Sequence, residues 1–275
     1  MTVSVAQKRA DFRKLHETGC FVLPNPWDLG SARLLETLGF KALASTSAGF
    51  AWSTARPDYG LSCHDVVDHL KVLCAGSDLP VNADYENGFA DDPQGVAANV
   101  RKAVDAGVAG LSIENRSGDK AKPLYDNALA VERIKAARAA IDSDRSDALL
   151  VARCEGFLVG EADLDATIAR LVAFAQAGAD CLYAPGLRTK EQIATVVKAV
   201  APKPVNVLVG AAPGFSVAEL AELGVRRISV GGALARTAWG GFMRAAKEIA
   251  EHGTFSEFIN GYPGGDLQKV FAQRG

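Results

Sequence analysis

The sequence predicts one (β/α)8 barrel over residues 1–275, and three observations carry the prediction. Eight short apolar runs suited to buried strands recur along the chain. Amphipathic stretches with helical spacing separate them, and a glycine marks the helix-to-strand joint before every second run. A chain of 275 residues holds one barrel of eight such units more naturally than two small domains.

The runs, in order, are CFVLP at 20–24, ALAST at 42–46, PVNAD at 80–84 and AGLSIE at 109–114. ALLVAR at 148–153, DCLYA at 180–184, PVNVLV at 204–209 and RRISVG at 226–231 complete the set. Between them lie segments such as DLDATIARLVAFAQAG at 163–178, whose apolar residues repeat at helical spacing. Gly39, Gly107, Gly178 and Gly224 each sit where a helix should stop, ahead of strands two, four, six and eight. Any α/β fold uses such caps, so it is the count of eight units that favours closure. The tail from Gly253 onward carries aromatics and glycines beyond the eighth helix and is expected to dock, on its own barrel or on a neighbour.

Composition narrows the function. A net charge of −2 excludes the strong basic bias of a protein that tracks nucleic-acid phosphates, so the expected partner is a small molecule. No uncharged apolar run reaches the ~18 residues of a membrane helix, and the N-terminal segment lacks a signal-peptide core. The expectation is a soluble, cytoplasmic protein with no membrane partner. Five scattered cysteines without a CxxC pair read as small buried hydrophobes, not as a disulfide framework or a zinc site.

Active sites of such barrels lie at the C-terminal ends of the strands, and there the chain is acidic. Run three ends Asp84-Tyr85-Glu86, run four ends at Glu114, run five ends Arg153-Cys154-Glu155, and the loop after run two brings Asp58. If the strand continued through both, Asp84 and Glu86 would point to one face, the barrel mouth. Converging carboxylates need a cation or proton between them. Hard oxygen donors without histidine or cysteine suit Mg2+, with Mn2+ as the alternative. Arg153 closes a strand expected to be buried on both faces, so it should meet an anion: Glu155 or Glu114, or a substrate carboxylate. No run ends in a lysine that would form a Schiff base, and the four histidines fall in helix-like segments. Glycine loops after runs seven and eight, at 210–214 and 231–232, leave room for a phosphorylated ligand.

These motifs together resemble the isocitrate lyase/phosphoenolpyruvate mutase superfamily. The most specific match is PVNADYENGF at 80–89, with LPNPWD at 23–28, STSAG at 45–49, RPDYG at 56–60, GLSIEN at 110–115 and VARCEG at 151–156 in the family's order. The resemblance implies Mg2+ held directly by Asp84 and through water by Glu86, Glu114 and Asp58. It implies a substrate-binding set of Ser45, Ser47, Ala48, Asp84 and Arg153, catalytic roles for Asp58, Arg153 and Glu114, and a homo-oligomer, dimer or tetramer, with exchanged C-terminal helices. Isocitrate and methylisocitrate lyases carry a Lys-Lys/Arg-Cys-Gly-His segment after strand four, where this chain reads NRSGDKAKPLYD at 115–126 without a cysteine. Leu208 and the Tyr183-Ala184-Pro185-Gly186 segment also depart from the lyase pattern. The implied activity is Mg2+-dependent cleavage of the C3 bond of a small 2-oxo or 2-hydroxy acid of oxaloacetate size. The alternatives are P–C bond chemistry on phosphonopyruvate and non-catalytic binding of a 2-oxo acid.

Overall fold

The computed structural model describes residues 3–143, 145–212 and 214–272. Each of the eight apolar runs forms a strand: β1 Phe21–Leu23, β2 Leu43–Ala44, β3 Val81–Asp84, β4 Gly110–Glu114, β5 Leu149–Arg153, β6 Cys181–Tyr183, β7 Val205–Leu208 and β8 Arg227–Ser229. All pair in parallel, in the order β1-β8-β7-β6-β5-β4-β3-β2. The β1 and β2 edges close the ring without a ladder. Among the described residues a single backbone bond, from Ala44 N to Pro24 O at 3.0 Å, joins them.

Helices alternate with the strands as the amphipathic spacing predicts. The segment at 163–178 becomes the helix Leu164–Gln176, started by the Asp163 carboxylate accepting from Ala166 N. Gly178 closes it with φ of 103°, and a Cβ there would stand 2.7 Å from Arg138 Cγ, so only glycine fits this joint.

Strand alternation divides the interior. Ala83, Leu111, Ile113, Leu150, Ala152, Leu182 and Val207 turn outward and join Leu70, Val100, Leu171 and Ile193 from the helices in the main core. The other face of the strands lines the barrel lumen, and it is unusually polar: Asn82, Ser112, Asn206, Arg227 and Ser229 are all buried. At the N-terminal end the helix Val5–Leu15 inserts Phe12 among Leu23, Ala109 and Leu149, plugging the barrel. Among the described residues no helix is long and apolar enough to cross a membrane.

Beyond β8 the long helix Ala233–His252 buries only Ala235, and the tail that follows ends in the helix Gly264–Ala272. The helix Gly264–Ala272 touches its own chain, where Phe271 lies over Gly30 of the helix Leu29–Thr37.

Candidate active site

A cavity of about 210 Å3 opens among the C-terminal strand ends. Arg153, the last residue of β5, is its electrostatic centre. Its Nη1 meets Asp84 Oδ1 at 2.8 Å, and its Nη2 meets Glu155 Oε1 at 2.8 Å and Glu114 Oε2 at 3.3 Å. Burial alone would loosen its proton, but the three carboxylates outweigh that and hold the guanidinium firmly charged. Both protein partners foreseen for it, Glu114 and Glu155, are therefore present, and Asp84 is a third.

Asp84 ends β3 with its second oxygen turned the other way. Oδ2 accepts from the backbone N–H of Ser47 at 2.9 Å and from its hydroxyl at 2.9 Å. Ser45 sits beneath, its Oγ accepting from Asp84 N at 2.9 Å, and Ser45, Ser47 and Ala48 all border the cavity. Asp58 joins from the loop after β2, 3.5 Å from Ser47 Oγ; burial, then the neighbouring Asp84 charge, pushes its carboxyl up.

Glu86 corrects one sequence expectation. The strand stops at Asp84, and Glu86 lies in the left-handed region with φ of 46°, so the pair does not share a face through continued extension. The turn still buries Glu86 beside the cluster. Its Oε1 is inaccessible and has no hydrogen-bond partner, and burial followed by the Asp84 and Asp58 charges raises its carboxyl to about 8. Glu114, the end of β4, is also fully buried and pushed upward by that burial, with Tyr59 Oη donating to its Oε1 at 2.9 Å.

The donor set fits a divalent cation. Five carboxylates, Asp58, Asp84, Glu86, Glu114 and Glu155, face two guanidiniums, Arg153 and Arg116, and a buried oxygen of Glu86 remains unsatisfied. Such an excess of hard oxygen donors is what Mg2+ or Mn2+ neutralises. Among the described residues no three acid, histidine or cysteine side chains converge closely enough to ligate one ion together. The arrangement suits one direct carboxylate with the others acting through water.

Residues that sequence reasoning passed over also build the site. Asn25, just past β1, donates from Nδ2 to Ser45 O at 2.9 Å and accepts at Oδ1 from Val230 N and Gly231 N, both at 2.9 Å. Tyr59 carries Arg116 stacked 4.1 Å over its ring, and Arg227 reaches the cavity floor. Asn25 and Tyr59 lay inside the LPNPWD and RPDYG motifs without a role of their own, and Arg227 was visible only as a polar residue within an apolar run. The glycine loops behave differently: Gly231 borders the cavity, whereas the loop at 210–214 lines a separate surface hollow, and its Pro213 lies outside the described residues.

Comparison with known proteins agrees in fold and in sequence. The family model described as phosphoenolpyruvate phosphomutase matches residues 12–250. A Burkholderia cenocepacia J2315 structure, provisionally named a lyase/mutase, is 49% identical with a TM-score of 0.95, covering 98% of this chain and 96% of its own. Oxaloacetate acetylhydrolase, solved with the product oxalate, is 30% identical with a TM-score of 0.87, covering 97% and 93%. Oxaloacetate decarboxylase of Bradyrhizobium sp. (strain BTAi1) is 30% identical over 215 residues, 74% of this chain and 70% of the relative.

Proposed function

Because the chain belongs to the phosphoenolpyruvate phosphomutase family, within the isocitrate lyase/PEP mutase superfamily, we propose that it is a Mg2+-dependent enzyme cleaving the C3 bond of a small 2-oxo or 2-hydroxy acid of oxaloacetate size. The observation that carries this reading is the buried, partly unsatisfied carboxylate cluster of Asp84, Glu86, Glu114 and Asp58 around one guanidinium at the mouth of a small polar cavity. The relatives that act on oxaloacetate support the size of the substrate.

Asp84 would hold the ion directly, and Glu86, Glu114 and Asp58 would hold its water. When bound, the cation polarises the 2-oxo group and stabilises the negative charge that builds up as the C3 bond breaks. The protein's own groups do the rest. Arg153 and the backbone N–H groups of Ser47 and Ala48 would hold the substrate carboxylate, the Ser47 N–H turning from Asp84 Oδ2 to do so, and the Arg153 charge, fixed by three carboxylates, keeps that grip across the neutral range. The segment after β4 reads NRSGDKAKPLYD at 115–126 without the cysteine of the isocitrate and methylisocitrate lyases, a departure that argues against a tricarboxylate substrate.

The same chain would assemble with copies of itself through the helix Ala233–His252 and the segment after it, where Trp239, Phe242, Phe258, Ile259 and Tyr262 remain exposed. The cytoplasm is the compartment that fits a free-thiol chain of this kind.

An NMR time course with oxaloacetate, isocitrate, 2-methylisocitrate and phosphonopyruvate, with Mg2+ and again with EDTA, tests the proposal. Metal-dependent loss of oxaloacetate is the expected result; loss of phosphonopyruvate alone replaces C–C with P–C cleavage, a reading that the family model's own description favours. Binding without turnover of any of the four would leave a 2-oxo acid binding protein.

A further inference from the structure

Arg227 enters the barrel lumen from β8, opposite in character to the acidic mouth above it. It is 2% exposed and borders the same cavity at its floor. Among the described residues it makes no ion pair. Its Nε donates to Asn206 Oδ1 at 2.8 Å, and its Nη1 lies 3.4 Å from both Asn82 Oδ1 and His16 Nε2. These partners are neutral. The titratable groups facing it are Cys181, Tyr183 and His16; burial raises the first two and lowers His16 to about 3, so none carries a compensating negative charge.

A buried guanidinium with neutral neighbours alone bears a large desolvation penalty that an anion would offset. The wall around it is suited to one. Asn206 Nδ2 donates to Ser229 Oγ at 3.0 Å, and Ser45, Ser112 and Ser229 bring hydroxyls to the cavity, whereas all the acids gather at its mouth. The cavity is thus bipolar along the barrel axis, with oxygen donors for a cation above and a lone cation below.

We infer that Arg227 anchors a small-anion subsite in the barrel lumen, distinct from the carboxylate cluster, that takes a monovalent anion of halide or carboxylate size. Two sources share that chemistry, a free halide and the far carboxylate of a dicarboxylic substrate. The halide source is independent of the reaction proposed above, and the carboxylate source rests on it.

Thermal unfolding in EDTA, comparing sodium chloride with sodium gluconate at equal ionic strength, reads the first source. The wild-type Tm should rise in chloride by about 3 °C, with saturation, while Arg227→Met shows no difference between the salts. For the second source, oxaloacetate and pyruvate are compared by thermal shift with Mg2+. A preference of about tenfold or more for the diacid, abolished in Arg227→Met, assigns the subsite to substrate. Wild-type crystals soaked in bromide decide the matter if the variant does not fold, since an anomalous peak within hydrogen-bonding reach of the Arg227 guanidinium is then expected. Equal Tm in the two salts, no preference for the diacid and no bromide peak at Arg227 would together overturn the inference, whatever the outcome of the turnover assay.

Discussion

The hydroxyl of Tyr59 donates to Glu114 Oε1 at 2.9 Å, tying the loop after β2 to the end of β4 across 55 positions of sequence. Glu114 is fully buried, and this bond satisfies the oxygen that Arg153 does not reach. Tyr59→Phe should therefore cost about 1–2 kcal/mol of stability in denaturant melts, the penalty for stripping a donor from a buried carboxylate. A melt unchanged from wild type would mean that Glu114 finds another donor.

Asp84→Ala removes the carboxylate proposed above to ligate a cation directly. Turnover should drop by a factor on the order of 10^3 or more, and calorimetric Mg2+ binding should vanish while the fold persists. Retained Mg2+ affinity would move the ion elsewhere in the cluster.

Glu86 predicts opposite effects on stability and on metal binding. Its carboxyl rises from 4.5 in the unfolded chain to about 8 in the fold, so the metal-free protein gains its full contribution below pH 4.5 and loses it as the pH climbs toward 8. Glu86→Gln should make metal-free stability flatter over that window and raise it by about 2 kcal/mol at pH 7. The same change should weaken Mg2+ binding, whose wild-type affinity should increase with pH as the proton is displaced. Parallel pH curves for the two proteins would count against this account.

Arg133 fixes the turn that carries Glu86. From the helix Asn127–Ser143 it donates to Asn87 O, to Ala90 O and, at 2.6 Å, to Asp91 O, while stacking 4.0 Å from the Tyr125 ring. Arg133→Met should destabilise by about 2–4 kcal/mol and weaken Mg2+ binding as well, because three carbonyls lose their donor and the turn is freed. Native-like Mg2+ affinity in a destabilised variant would separate the turn from the site.

Trp239→Asp with Phe242→Asp should lower the assembly state seen by light scattering, since both side chains lie on the exposed apolar face of the helix Ala233–His252. An unchanged mass would place any contact between copies on another surface.

Much of this was legible in the sequence, for identifiable reasons. Strands buried on both faces leave short apolar runs, so all eight could be placed, and the acids at their ends pointed to the mouth. Asp84, Glu114 and Arg153 meet because strand ends in a barrel converge, and the loop after β2 brings Asp58 to them. Glu86 lies beside the other carboxylates through a left-handed turn and not through continued extension, and such a turn leaves no periodic trace. Arg133 and Arg227 were invisible for a different reason: one sits in a helix rich in charged residues and the other in a pair of arginines, and only the folded lumen distinguishes a buried guanidinium from a solvated one.

The missing ladder between β1 and β2 has a mechanical consequence. Seven ladders make the barrel a C-shaped spring, and the eighth joint is a clasp formed by the Ala44–Pro24 bond and by Asn25, which grips Ser45 on one side and Val230 and Gly231 on the other. The clasp lies at the mouth, next to the residues proposed to hold the substrate. Parting β1 from β2 therefore requires only that backbone bond and the Asn25 side chain to yield while seven ladders stay intact, which makes this joint the weakest seam of the ring.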